Sequence, residues 1–320
     1  MGQKDIITKK FMKQPEVFAD TFNCFFYEGD PVIKPDQLRS LDPIETGSKQ
    51  RKHYERHRDM LKYFGGMQDD ENAYLLLGIE NQSYIDYSMP VRNMGYDVLR
   101  YEEQIEQRRK KKDEKMNHEQ PFGGLKSGEK LVPIVTLVVY FGRKPWDGPR
   151  SLHDILDIQH PELTKYIADY PLNVINLCSL SEKEIQSFQS DLQDVVRSIQ
   201  CSGDKMATIE LMKTERFQKM NRLTAKVINV VTNARIHLLE EKGDVVNMEN
   251  AFDQLRQEWK AEGKAEGRAE GRAEVLVEKL NCLLQSGKFS PNEAMEVLQI
   301  TAEEQEKIKM VCINGRFRLT

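Results

Sequence analysis

Asp59, Glu80 and Gln82 are the residues of this 320-residue chain whose types and spacing could do chemistry together. Asp59 heads the strand-like run Asp59-Met60-Leu61-Lys62-Tyr63-Phe64, and a second run, Ala73 to Ile79, leads straight into Glu80-Asn81-Gln82. Gly65, Gly66, Asp69, Asp70, Glu71 and Asn72 lie between them, and such a cluster between β-prone runs predicts an antiparallel hairpin. The pairing sets the start of the first strand beside the end of the second, so Asp59 meets Glu80. Two carboxylates at one edge of a sheet are costly unless a cation neutralises them. Glu80 and Gln82, two apart on a strand, share a face. Phosphodiester hydrolysis needs an activated water and neutralised phosphate charge, which Mg²⁺ (or Mn²⁺) held by carboxylates supplies. Two acids at neighbouring strand ends, with a polar group to orient the nucleophile, are the hardware for it.

The elements that must position these residues can be read on either side. Ile6, Ile7, Phe11, Val17, Phe18, Phe22, Phe25 and Phe26 recur at helical spacing, and Gln14-Pro15 divides them into two helices. Asp20, close to Phe18 and Phe22 on the second helix, is either a solvated side chain or an extra carboxylate aimed at the site. A short strand is expected near Leu38–Asp42. Lys49 to Arg58 is strongly basic and carries His53 and His57, which on a helix would share one face; without a third ligand they read as part of a solvated or phosphate-facing segment. Met89 to Lys112 suits an amphipathic helix ending in Arg108-Arg109-Lys110-Lys111-Lys112. These five cations either neutralise a phosphate backbone or complement the helix C-terminus. Leu131 to Phe141 is continuously apolar, the mark of a central strand buried on both faces. A short helix at Leu152–Leu156 and a strand at Leu172–Leu177 follow. The order predicts a mixed α/β architecture, with helices on a central sheet.

From Ser181 the pattern is all-helical. Ser181 and Glu184 form a capping box for a helix through about Ile199; a second helical stretch runs to Ile236, and a third from Val245 through Trp259. Residues 261–274 repeat Glu-Gly-Lys/Arg-Ala with period four. Four residues advance about 40° beyond a full turn, so each residue type winds in its own stripe. Interior glycines cost about 1 kcal/mol each relative to alanine, so this stretch is either a frayed spacer or a helix stabilised by a second copy. The expected division is 1–180 as the α/β domain, 181–260 as a helical region, 261–274 as the repeat, and 275–320 as a small helical unit.

The formal net charge of −4 confines any nucleic-acid contact to local patches. No apolar run reaches the length of a membrane span, and Met1-Gly2-Gln3-Lys4-Asp5 has no apolar signal core. Five scattered cysteines without zinc spacing fit reduced thiols, so a cytoplasmic protein without membrane association is expected.

Asp5-Ile6-Ile7-Thr8-Lys9-Lys10-Phe11, Phe18-Ala19-Asp20-Thr21-Phe22-Asn23, Gly78-Ile79-Glu80-Asn81-Gln82-Ser83, Tyr140-Phe141-Gly142 with Pro145-Trp146-Asp147-Gly148-Pro149-Arg150-Ser151-Leu152, and the repeat tail together resemble the recombination-promoting nucleases. These are also described as YhgA-like putative transposases, within the PD-(D/E)XK nuclease superfamily. The resemblance covers about residues 1 to 200. It implies a restriction-endonuclease-like αβββαβ core with a mixed central sheet, followed by the all-helical C-terminal part, and a divalent-metal-dependent DNA endonuclease linked to recombination or mobile elements. Asp59 and Glu80 would be the metal-binding carboxylates, Asp20 an accessory acid, and Gln82 would replace the superfamily's lysine. Arg58, rather than the family's frequent proline, precedes Asp59. The alternative is a weak or silent nuclease fold acting as a DNA-binding or protein-interaction module, with the C-terminal tail mediating self-association.

Overall fold

The computed structural model describes residues 2–41, 44–46, 55–65, 75–113, 125, 127–234, 236, 243–301, 304 and 308. The chain forms two compact units, Met1–Glu249 and Asn250–Thr320. The first opens with α1 (Gln3–Met12) and α2 (Pro15–Tyr27), divided where Pro15 begins the second helix. The strands β1 (Leu38–Ser40), β2 (Ile44–Thr46), β3 (Glu55–His57), β4 (Met60–Phe64) and β5 (Leu75–Gln82) follow. Then come α3 (Met89–Asp113), β6 (Ile134–Tyr140) and β7 (Asn173–Asn176).

Five of these strands make one mixed sheet in the order β1-β4-β5-β6-β7. β4 pairs antiparallel with β1 and β5, whereas β5–β6 and β6–β7 are parallel. The hairpin expected around Asp59 and Glu80 is therefore present, although its turn at 66–74 lies outside the described residues. The strong apolar run becomes β6, next to the centre line of the sheet, with Leu137, Val138 and Val139 fully buried. The other two strands of this region, β2 and β3, form a separate antiparallel ribbon. His57 thus sits on an extended segment rather than a helix, and His53 lies outside the described residues.

Side-chain alternation assigns the helices to faces. Lys62, opposite Leu77 in the register, lies over the Phe18 ring and donates to the Lys13 carbonyl, so α1 and α2 cover that face. Leu61 and Leu76 point the other way and pack with Ile134 and Tyr101, and Met89 packs with Val138 and Tyr140; α3 covers this second face. Glu80, opposite Val138, belongs to the α3 face.

The expected helix Leu152–Leu156 is a 3₁₀ turn at His153–Ile155. The Ser181–Glu184 capping box forms as read, but the helix it starts stops early. α4 (Glu182–Ser187) and α5 (Leu192–Cys201) are separated by a turn that Asp20 holds. Its carboxylate accepts from the Gln189 amide at 3.0 and 3.1 Å, from the Ser190 amide at 2.8 Å and from Ser190 Oγ at 2.6 Å. These donors compete with continued helical bonding, and a residue far away in sequence decides the outcome. The next helical stretch is divided into α6 (Lys205–Met212), α7 (Glu215–Gln218) and α8 (Arg222–Thr232), and Asp204 and Asn221 cap the first and last of these. A two-residue ladder, β8 (Met220–Asn221) with β9 (Val245–Val246), tethers the end of this region.

α9 (Met248–Gln285) runs unbroken through the Glu-Gly-Lys/Arg-Ala repeat, and α10 (Pro291–Val297) follows a Ser290–Glu293 capping box. Ala273, Leu276, Val277, Leu280, Ala294, Ile300 and Ile308 form a small core of their own. No described helix is long and apolar enough to cross a membrane.

Replacing Asp20 by alanine leaves the Gln189 and Ser190 amides without their acceptor. A loss of about 1–3 kcal/mol in urea-unfolding stability is expected, against little change for the exposed Glu16→Ala control.

Candidate active site

Asp59 immediately precedes β4 and Glu80 lies near the end of β5, so the antiparallel register sets them across from each other. Each backbone holds the other's side chain. The Asp59 amide donates to Glu80 Oε1 at 3.1 Å, and the Asn81 amide donates to Asp59 Oδ2 at 2.8 Å. This reciprocal clasp fixes both carboxylates at one end of the hairpin.

Charge around them is arranged in two layers. Lys9 of α1 brings its Nζ to 2.6 Å from Asp59 Oδ1. Arg92 of α3 lies 3.6 Å from Glu80 Oε2, while its other terminal nitrogen holds Asp86 at 2.6 Å and the guanidinium also donates to the Tyr96 hydroxyl. Behind them, the buried Arg58 donates to Asp97 Oδ1 at 2.7 Å, and the Tyr170 hydroxyl bonds the other Asp97 oxygen. Gly78 makes room for this pair: a β-carbon there would stand 2.8 Å from Arg58 Nη1 and 3.0 Å from Thr136 Oγ1.

Glu80 is 1% exposed, and its Oε2 has no hydrogen-bond partner. Burial, followed by the neighbouring Asp59 charge, pushes its carboxyl up to about 8, against the pull of Arg92. An acid held this way stays protonated at neutral pH unless more positive charge arrives. A buried oxygen that makes no hydrogen bond, 3.6 Å from Arg92 and beside a second carboxylate, suits a hard divalent cation. Among the described residues no cluster of three or more His, Cys, Asp or Glu could hold a metal. Mg²⁺ does not require one, because it commonly uses one or two carboxylates and takes its remaining oxygens from water and substrate phosphate.

The hairpin brings Asp59 and Glu80 together, with Gln82 further along the same strand, half-buried, its carbonyl accepting from the Phe141 amide at 2.8 Å. Asp20 is not brought to them; its oxygens serve Gln189 and Ser190. Of the basic run, Arg108 donates to the Lys130 carbonyl, Arg109 is exposed, and Lys110 pairs with Glu106 at 3.1 Å; α3 continues through Lys111 and Lys112. Sequence reasoning missed Lys9, Arg92, Arg58 and Asp97. A charged residue on an amphipathic helix reads as solvated, and only the tertiary fold turns Lys9 and Arg92 inward.

A mixed five-stranded sheet flanked by helices, with a clasped carboxylate pair at the end of a hairpin, makes this an α/β protein with a paired-acid site. The family model described as "Putative transposase, YhgA-like" matches residues 3–227, and the chain belongs to that family. No curated protein and no solved structure matches it.

In EDTA, stability should fall as pH rises from about 4.5 towards about 8, because the folded state keeps a Glu80 proton that the unfolded chain releases. Above about 8 both states are ionised and this slope ends. Glu80→Gln keeps an acceptor for the Asp59 amide but no titrating group. Urea unfolding across this range should show a flatter profile for the variant and a stability gain over wild type at pH 8, on the order of a few kcal/mol at most.

Proposed function

We propose that this protein is a divalent-metal-dependent DNA endonuclease, associated with recombination or mobile elements, and that Asp59 and Glu80 hold Mg²⁺ (or Mn²⁺). The observation that carries this reading is the Glu80 carboxylate clasped beside Asp59, its buried Oε2 making no hydrogen bond and lying 3.6 Å from Arg92. The order of α1–α2, β1, β4, β5, α3 and β6 fits the αβββαβ nuclease core expected from the resemblance, and membership of a family described as "Putative transposase, YhgA-like" accords with DNA as the substrate.

A bound divalent ion supplies charge neutralisation on the scissile phosphate and lowers the pKa of an attacking water. The chain's own residues supply position. Asp59 and Glu80 present oxygens from two paired strands, so their separation is set by the β-ladder rather than by loop conformation. Gln82, on the same face of β5 as Glu80, orients water or phosphate through an amide that can both donate and accept. Arg92 stays charged beside Glu80, its pKa raised by its bonds to Asp86 and Tyr96 against the effect of burial. Arg108, Arg109, Lys110, Lys111 and Lys112, in sequence at the end of α3, are the cations assigned in this reading to the DNA backbone.

The replacement of the superfamily lysine by Gln82 favours one competing reading, a silent nuclease fold that binds DNA or protein without cutting. Nicking of supercoiled plasmid with Mg²⁺ or Mn²⁺ separates the two. Wild type is expected to nick, with Asp59→Ala and Glu80→Ala each reduced by about 100-fold or more. A wild type that cuts with neither metal would leave the binding reading, and variants as active as wild type would remove these residues from the site.

A further inference from the structure

Gln82 leaves the strand without a cation, since an amide carries no charge. The fold brings an ammonium to the carboxylates from elsewhere. Lys9 Nζ is 2.6 Å from Asp59 Oδ1, and the two side chains are only 20% and 10% exposed. Such a pair is screened by solvent far less than one on the surface.

The helix that carries Lys9 is fixed. Phe11 and Met12 of α1 are fully buried, Thr8 is buried and bonds back to the Lys4 carbonyl at 3.0 Å, and α1 packs on α8 as well as the sheet. Lys9 therefore reaches the site from a rigid element, as a preorganised charge must. Arg92 is less suited to the same task, because it faces Glu80 and its guanidinium is engaged by Asp86 and Tyr96.

We propose that Lys9 is the cation of the Asp59–Glu80 site, delivering from the first helix the positive charge that Gln82 does not supply from the strand. The inference rests on the endonuclease reading. In that reaction a water oxygen bonds to phosphorus as the bond to the leaving sugar oxygen breaks. One water proton is given up, one proton ends on the leaving oxygen, and no electron is transferred. Lys9 keeps its protons throughout and acts on the negative charge that develops on the attacking water and the phosphoryl oxygens. Its place beside Asp59 also gives it a second consequence: it competes with a metal for Oδ1.

The test compares wild type, Lys9→Met, Gln82→Lys and the double variant by plasmid nicking with Mn²⁺, and measures Mn²⁺ affinity of the same proteins by electron paramagnetic resonance. Lys9→Met is expected to nick about 100-fold more slowly while binding Mn²⁺ at least as tightly as wild type. Gln82→Lys in the Lys9→Met background is expected to restore most of the lost rate, which a merely structural lysine would not permit. Nicking by Lys9→Met at the wild-type rate, a double variant no faster than Lys9→Met, or loss of Mn²⁺ binding in Lys9→Met would overturn the proposal, with the endonuclease reading intact so long as wild type cuts. A wild type that cuts nothing overturns both.

Discussion

The structure depends on a clasp of two backbone amides and two carboxylates at the end of one hairpin. Asp59 and Glu80 bond to each other's strands, so neither carboxylate can move away without breaking its hydrogen bond to a backbone amide of the opposite strand. The arrangement puts like charges together in a setting that admits almost no water, and such a pair is stable only if protons or cations compensate. Both forms of compensation apply here. Lys9 and Arg92 approach from opposite faces of the sheet, and Glu80 retains affinity for a proton up to about pH 8. The pair thus stores an electrostatic cost that positive charge relieves, and the proposed metal-dependent chemistry rests on that cost.

The clasp needs a rigid frame, and the residue before Asp59 provides it. Arg58 is buried against Asp97 of α3, with its guanidinium near the Tyr96 ring and its space created by the absence of a side chain at Gly78. Removing one partner of such a pair leaves an uncompensated buried charge, which typically costs about 3–5 kcal/mol. The frame therefore couples α3 to the start of β4 on one face, while Lys62 over Phe18 joins the same strand to α2 on the other. Asp59 thus lies between anchors at Arg58 and Lys62. The requirement for glycine at position 78 and the buried ion pair at 58 and 97 belong to one structural problem, that of holding the acid still.

Elements governed by local pattern were legible in the sequence. The apolar run of β6, the hairpin strands β4 and β5, the restart at Pro15 and the Ser181 capping box all follow from periodicity and turn chemistry, and the hairpin strands set out the carboxylate pair. What was not legible depends on distant partners. The break between α4 and α5 comes from Asp20, 169 and 170 residues away from the amides it binds. Lys9 and Arg92 look like ordinary solvated charges until tertiary packing turns their helices. The ribbon of β2 and β3 is too short and polar to announce itself. Residues 261–274 were open between spacer and helix, because three glycines weigh against helix formation. α9 nevertheless runs through them, with Phe252 buried near its start and Leu276, Val277 and Leu280 near its end. Extending a helix between two anchored turns avoids a second nucleation, which is the costly step.

Membership of the YhgA-like family and the geometry of the clasp meet at one physical question: whether the pair is built to hold a divalent ion. A crystal grown with Mn²⁺ and measured for anomalous scattering addresses it most directly. The expected result is a peak shared by the Asp59 and Glu80 carboxylates, at distances of about 2.0–2.6 Å typical of hard cations on oxygen, with Glu80 Oε2 among the ligands. An empty site at millimolar Mn²⁺, with Glu80 protonated and Lys9 still alone on Asp59 Oδ1, would contradict it and leave the clasp as a structural joint.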